Sequence, residues 1–280
     1  MGRTDPDPLS FERGPAILIG AYSIVIGVLS ALLFVSPKTP PPVLGIAWGV
    51  FLAALAISAL YLEGISPRSV LPPVRTLVAV TVSLVVFWAL YNLVAFGLAL
   101  AGVVGFEATW SRVVGHPLSY LAALFSSLLF TAIPEELIFR AYIQQKLIAI
   151  AGGETRRAVV SGVAVAAVLF AAFHLPRWFL ALGHGVGTGL IVWLCELTLM
   201  GLAFGIVYAI TGNLWLVALF HATMNIPPVL LTVSVPPELH LVATIIESAT
   251  IVSVVYLFVQ MTGPERTALV GSRHEPTSRV

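Results

Sequence analysis

Charge is what this chain has least of. Only 10% of its 280 residues are Asp, Glu, Lys or Arg, against about 25% in an ordinary soluble domain, while 59% are hydrophobic. So few charged groups cannot clothe a surface facing water, and composition therefore excludes a soluble globular domain. Cysteine is scarcer still. The single thiol, Cys195, excludes an intramolecular disulfide and has no paired spacing for a zinc or redox motif; set inside an apolar run, it is expected to pack. The fourteen Lys and Arg residues give a formal net charge of +1 and are scattered without a basic stripe, so nucleic acid is excluded as a partner. No internal repeat and no soluble domain is visible.

Long apolar runs are what the sequence has in abundance. A bilayer core ~30 Å thick needs about 20 mostly apolar residues per helix, and runs of that order fall at 15–36, 43–63, 74–102, 118–150, 158–176, 187–211, 214–233 and 239–261. Pro, Gly or charged residues punctuate them. The expected fold is an all-α polytopic membrane protein of about eight transmembrane helices with a polar intramembrane cavity, and the lipid bilayer is its constant partner. It divides into a polar N-terminus at 1–14, helices one to three at 15–117, helices four to seven at 118–233, helix eight at 234–262 and a polar tail at 263–280.

The polar start MGRTDPDPLSFERG lacks the net basic charge of a signal peptide, so the first helix is expected to be a retained anchor. Pro6 stands where a myristoylation signal needs Ser or Thr, and the C-terminus has no CAAX box. Under the positive-inside rule, a cytoplasmic N-terminus puts Arg3, Arg13, Arg68, Arg75, Lys146, Arg156, Arg157, Arg266, Arg273 and Arg279 inside and Lys38, Arg112 and Arg177 outside. Ten against three predicts both termini in the cytoplasm, with the cell membrane as the expected location.

A charge at the bilayer centre costs at least ~2.5–3.5 kcal/mol on an insertion scale, so every ionisable residue within a run needs a reason. The fourth run contains PEELIFRAYIQ. Pro134 predicts a kink beside Glu135. Positions four apart share a helix face, with Glu before Arg in the favoured order, so Glu136 and Arg140 are expected to pair and leave Glu135 free. The fifth run ends in LFAAFHLP, with Phe170 and His174 on one face and Pro176 closing the helix. Counting 1.5 Å per residue from the turn near 152–156 brings Glu135 and His174 to nearly one depth. The seventh run supplies FHATMN, with His221 and Asn225 four apart and Pro227-Pro228 just beyond. His221 would be shallower than Glu135 unless the uncharged turn at 212–213 ends short of the membrane surface.

Hydrolysis of an amide needs a base for water, donors for the oxyanion and an acid for the leaving amine. Glu135 with His174 fits the base, and His221 with Asn225 fits the oxyanion site, which together describe a peptidase. Zinc is the alternative, held by Glu135, His174 and His221 with a fourth position open, although no H-E-x-x-H is present. Phe170 is read as packing beside the site. His116, His184 and His240 fall in loops and are assigned nothing. Glu196 and Glu247 lie inside apolar runs without a basic neighbour, placed either on the cavity wall or against a distant partner such as Arg140.

The residues Glu135-Glu136-Leu137-Ile138-Phe139-Arg140, Phe170 to His174 and His221 to Asn225 follow the pattern E-E-x-x-x-R, F-x-x-x-H, H-x-x-x-N. In this the chain resembles the CPBP (Abi, or CAAX prenyl endopeptidase type II-like) intramembrane proteases over roughly 118–228. The resemblance implies an eight-helix fold with a water-filled cavity, a first Glu and a fifth-span His that activate water, and a last His and Asn that support the oxyanion. It also implies a hydrophobic or prenylated peptide substrate. Family names suggest a metalloprotease, and a metal-free glutamate mechanism has also been argued, so zinc stays open. A transporter is the competing class, since intramembrane Glu, Arg and His also mark substrate pathways; two related halves would be expected of it, and the polar cluster occurs only in runs four to seven. A non-catalytic immunity or partner protein on the same fold is the third reading.

Overall fold

The computed structural model describes residues 11, 14–36, 42–72, 76–103, 106–153, 155–233, 235 and 237–262. Most of the polar N-terminus, the 263–280 tail and the topology charges Arg3, Arg13, Lys38, Arg75, Arg266, Arg273 and Arg279 lie outside these residues, as does the side chain of Arg112. Among the described residues, seven helices are long and apolar enough to cross a membrane. They are α1 (Ala16–Val35), α2 (Pro42–Leu62), α3 (Leu77–Leu100), α4 (Pro117–Ile150), α5 (Arg156–Phe173), α6 (Thr188–Thr211) and, after a shorter α7 (Leu214–Asn225), α8 (His240–Thr262). Helix α5 extends through a π-helical turn, Arg177–Ala181, within the same apolar span.

Their outward faces are apolar: Phe34, Val78, Leu93, Val160 and Ile191 all lie exposed, as a lipid-facing surface requires and water would penalise. Cys195, expected to pack, is exposed on α6. In an apolar bundle the lipid-facing side is as hydrophobic as the core, so hydropathy alone could not tell the two apart.

The seventh run is shorter than expected. Helix α7 stops at Asn225, because Pro227 and Pro228 cannot continue it, and its 12 residues rise only ~18 Å. The chain then runs extended. Asn92 on α3 accepts from Leu230 N at 2.6 Å and donates to the Pro228 carbonyl at 3.1 Å, while Tyr120 donates to the Ile226 carbonyl at 3.3 Å. Residues Leu231–Val233 (β2) pair antiparallel with Phe106–Trp110 (β1), a small ribbon added to the otherwise helical architecture. At the other end of α7 the turn is buried: Thr211, Asn213 and Leu214 are almost wholly covered, Asn213 caps the helix by accepting from Leu216 N, and Trp215 donates to the Pro72 carbonyl. This hairpin therefore ends inside the protein, which removes the depth mismatch for His221.

The expected kink at Pro134 is replaced by a different device. Helix α4 stays right-handed throughout, with π-helical turns at Leu128–Ala132 and Leu137–Gln144 on either side of Ile133–Glu136. Proline has no N–H for the Phe130 carbonyl four residues back, and wider turns absorb the mismatch without a break. Gly49 of α2 packs against that carbonyl so closely that a Cβ would collide with it. Since the helix does not restart after Pro134, Glu135 does not cap a helix N-terminus.

Small residues bring the other helices together. Gly201 and Gly205, spaced four apart on α6, lie against Ala167 of α5 and against Gln144 and Val163; this is the small-xxx-small spacing that lets membrane helices approach closely. Gln144 uses the proximity, donating to the Gly205 carbonyl at 3.0 Å.

Candidate active site

Glu136 is the centre of the polar cluster. Fully buried in the π-helical stretch of α4, it accepts from Arg140 Nε at 2.8 Å through one oxygen and meets His221 Nδ1 at 2.7 Å through the other. The first bond is the four-residue pair expected from sequence. The second joins two motifs 85 positions apart. An ionised carboxylate only accepts, so Nδ1 carries the hydrogen and Nε2 is turned to the other side. There Glu135 Oε2 lies 3.7 Å away, beyond a direct hydrogen bond.

This changes the expected partnership. Among the described residues the histidine within ion-pair distance of Glu135 is His221, and Glu135 is not paired with His174. The depth estimate assumed α-helical spacing, and the π-helical turns alter which way successive side chains point. His174 sits at the C-terminal cap of α5, its Nδ1 held 2.8 Å from the Phe170 carbonyl. It still belongs to the cluster through Phe170, whose ring lies 4.9 Å from the His174 ring and 6.1 Å from that of His221. The Arg140 guanidinium lies 5.1 Å from the same ring, a cation–π contact. Phe170 is thus packing, as read, but packing that sets the spacing of both histidines and the arginine.

Asn225 also departs from expectation. His221 is only 6% exposed, whereas Asn225, one turn on, is exposed and its amide donates to Ser127 Oγ at 3.4 Å. Ser127 lies eight residues before Glu135 on α4, and nothing in the motif spacing marked it. The buried end of the cluster is therefore Arg140, Glu136, His221 and Glu135; its open end is Asn225 with Ser127 and the half-buried His174.

The remaining acids are placed elsewhere. Glu196 lines an open cleft with Val235, His240, Ala243 and Thr244, between α6 and α8, and Arg140, once considered its partner, belongs to Glu136. His240 bonds the Val235 carbonyl, and His184 packs edge-on against Trp178. A second buried ion pair was not anticipated: Lys146 Nζ meets Glu63 Oε2 at 2.8 Å with neither side chain exposed, and Tyr142 donates to the same carboxylate at 3.3 Å. Glu63 is the last residue of the second run and Lys146 was counted as a loop charge, so each alone looked interfacial.

The proposed metal set does not converge. No group of three His, Cys, Asp or Glu among the described residues could hold an ion; the Nδ1 bonds of His174 to a carbonyl and of His221 to Glu136 leave Nε2 as the one ligand atom of each ring. The donors as placed do not fit zinc, and no step below passes through a metal.

What the arrangement offers is a carboxylate, an imidazole fixed in orientation by a second carboxylate, and an amide donor at the open end, all on the helices that carried the motifs. No curated protein and no solved structure matches the chain. Residues 117–227 match the family model described as type II CAAX prenyl endopeptidase Rce1-like. The match runs from the first residue of α4 to just past Asn225 and takes in all three motifs. Helices α4 to α7 of this chain are thus similar to the type II CAAX prenyl endopeptidase Rce1-like family.

Proposed function

We propose that the protein is an intramembrane endopeptidase that hydrolyses a peptide bond in a hydrophobic or prenylated substrate, with Glu135 as the base. The observation carrying this reading is His221, held between the two carboxylates of one motif although it comes from another. A structural ion pair would need only Glu136 and Arg140. The second acid, 3.7 Å from Nε2, leaves a position from which one water can touch both groups.

In the proposed reaction Glu135 takes a proton from that water as its oxygen attacks the scissile carbonyl carbon. Negative charge moves to the carbonyl oxygen, where the Asn225 amide supplies a donor. Collapse breaks the C–N bond, and the proton held by Glu135 passes to the departing amine. Glu136 keeps His221 in the required tautomer, the role a buried acid plays for a catalytic histidine. Arg140 offsets the charge of Glu136, without which a second buried carboxylate would be costly.

The test is cleavage of a fluorescence-quenched farnesylated CAAX peptide and of its unprenylated counterpart by detergent-purified protein, with Glu135→Gln as the control. Turnover of either peptide that disappears in the variant supports the reading. Equal turnover by both proteins removes Glu135 from it. Preference for the farnesylated peptide supports the prenylated substrate class, and equal rates with both favour a hydrophobic segment.

A further inference from the structure

Glu196 takes no part in the hydrolytic cluster, and its surroundings describe a second polar site. It is half-buried on α6 and lines a cleft of about 360 Å³ between α6 and α8, together with Val235, His240, Ala243 and Thr244. Among the described residues its side chain enters no ion pair or hydrogen bond. The other polar side chains of the cleft have already spent their hydrogens. His240 Nε2 lies 2.9 Å from the Val235 carbonyl; a carbonyl only accepts, so Nε2 carries the hydrogen and Nδ1 of the neutral ring keeps a lone pair. Thr244 Oγ1 donates to the His240 carbonyl at 3.0 Å and can still accept. A carboxylate, an imidazole nitrogen and a hydroxyl oxygen thus border one cleft as acceptors. That set is the complement of a primary ammonium, which has N–H donors and nothing else.

The place of the cleft in the bundle indicates the source of that ammonium. His240 is the first residue of α8, and Trp193, three residues before Glu196 on α6, packs 5.0 Å from Trp178; tryptophan is enriched at the level where headgroups meet acyl chains. Ile191 and Val192 on α6 and Val242, Ile245 and Ile246 on α8 flank the cleft residues in sequence and are exposed, as side chains facing lipid tails are. A carboxylate on such a surface is costly unless a cation reaches it, and the bilayer itself carries one in its amine headgroups. We propose that the cleft between α6 and α8 binds a phospholipid whose headgroup ends in a primary amine, with Glu196 taking the ammonium while Thr244 and His240 accept its remaining hydrogens. A choline headgroup carries the same positive charge but has no N–H, so it leaves these acceptors unmet. A lysine side chain shares the ammonium chemistry, but the lipid-facing residues on both helices favour the lipid. The site goes beyond the proposed hydrolysis and does not depend on it.

The experiment titrates full-length wild type, Glu196→Gln and Thr244→Val, delipidated in detergent, with phosphatidylethanolamine or phosphatidylcholine of identical acyl chains, and reads retention by native mass spectrometry. The two lipids share tails, phosphate and net charge, so the comparison isolates the N–H donors. Wild type is expected to hold phosphatidylethanolamine about 10-fold more tightly, the lower range for a charge-assisted contact. Glu196→Gln should treat the two lipids alike, and Thr244→Val should keep an intermediate preference. Phosphatidylethanolamine should also raise the unfolding temperature of wild type more than that of Glu196→Gln, whose own unfolding transition without lipid shows that it is folded. Equal retention of both lipids by wild type overturns the site, and so does a preference that survives in Glu196→Gln. Glu196-dependent binding of a soluble lysine-bearing peptide, with both lipids retained alike, gives the cleft to a peptide and overturns the lipid.

Discussion

Glu136 holds two partners at once, and its loss should therefore hurt in two ways. Removing one member of a buried ion pair leaves the other charge unpaired, at a cost of about 3–5 kcal/mol. Arg140→Ala is accordingly expected to lower stability by that order, read as a drop in thermal unfolding temperature in detergent. Glu136→Gln should cost less stability, since the amide can still meet Arg140 or His221, yet it should lower kcat sharply by releasing the imidazole from its tautomer. A Glu136→Gln protein with unchanged kcat would reduce Glu136 to a structural role. The Glu136–Arg140 pair was legible because both residues share one helix, where the spacing fixes the geometry. The bond from Glu136 to His221 was not, because hydropathy and spacing say nothing about which face of α7 turns toward α4. The Glu63–Lys146 pair escaped for the same reason, with 83 positions between its members.

At the scale of the element, the π-helical turns of α4 position the two glutamates, and they depend on α2. Gly49 lets the α2 backbone lie against the Phe130 carbonyl that Pro134 cannot bond. Gly49→Val would force the two helices apart and should cost about 1–3 kcal/mol, as overpacking does, with activity falling further than stability because Glu135 and Glu136 follow within seven residues. A control at Gly45, where a Cβ meets nothing, should leave both unchanged. Equal behaviour of Gly49→Val and Gly45→Val would show that the close approach has no part in holding the site. Pro134 itself announced an irregularity, and sequence placed it correctly. Its form depended on whether the neighbouring turns could widen, which is decided by packing against α2 and not by local propensity.

For the whole molecule, the apolar runs located every long helix, because a span is defined by length and hydropathy alone. The exception was the seventh run, where a 12-residue helix and an extended segment together mimic one crossing. Its buried turn and its clamp by Asn92 are tertiary features that hydropathy does not record. Orientation is the remaining property at this scale. Lys146 is paired with Glu63 and leaves the inside set at nine against three, so the positive-inside rule still predicts cytoplasmic termini. Cys195 is the chain's one cysteine, so Cys195→Ser provides a thiol-free background. In it, a cysteine at Gly183 is expected to react with a membrane-impermeant maleimide added to intact cells, while one at Ser272 reacts only after permeabilisation. The reverse pattern would invert the protein. Since Asn225 and His174 stand toward the same end of the bundle as Gly183, that result also decides the side from which a substrate enters.

The most direct test of the central claim remains the cluster's own chemistry, measured as turnover of a quenched hydrophobic peptide by wild type and by Glu135→Gln at matched folding. Glutamine keeps the shape of the side chain and removes its capacity as a base, so the account predicts a fall of at least about 100-fold in kcat, the lower range for losing a general base, with the unfolding temperature nearly unchanged. A Glu135→Gln protein that cleaves at the wild-type rate would contradict it.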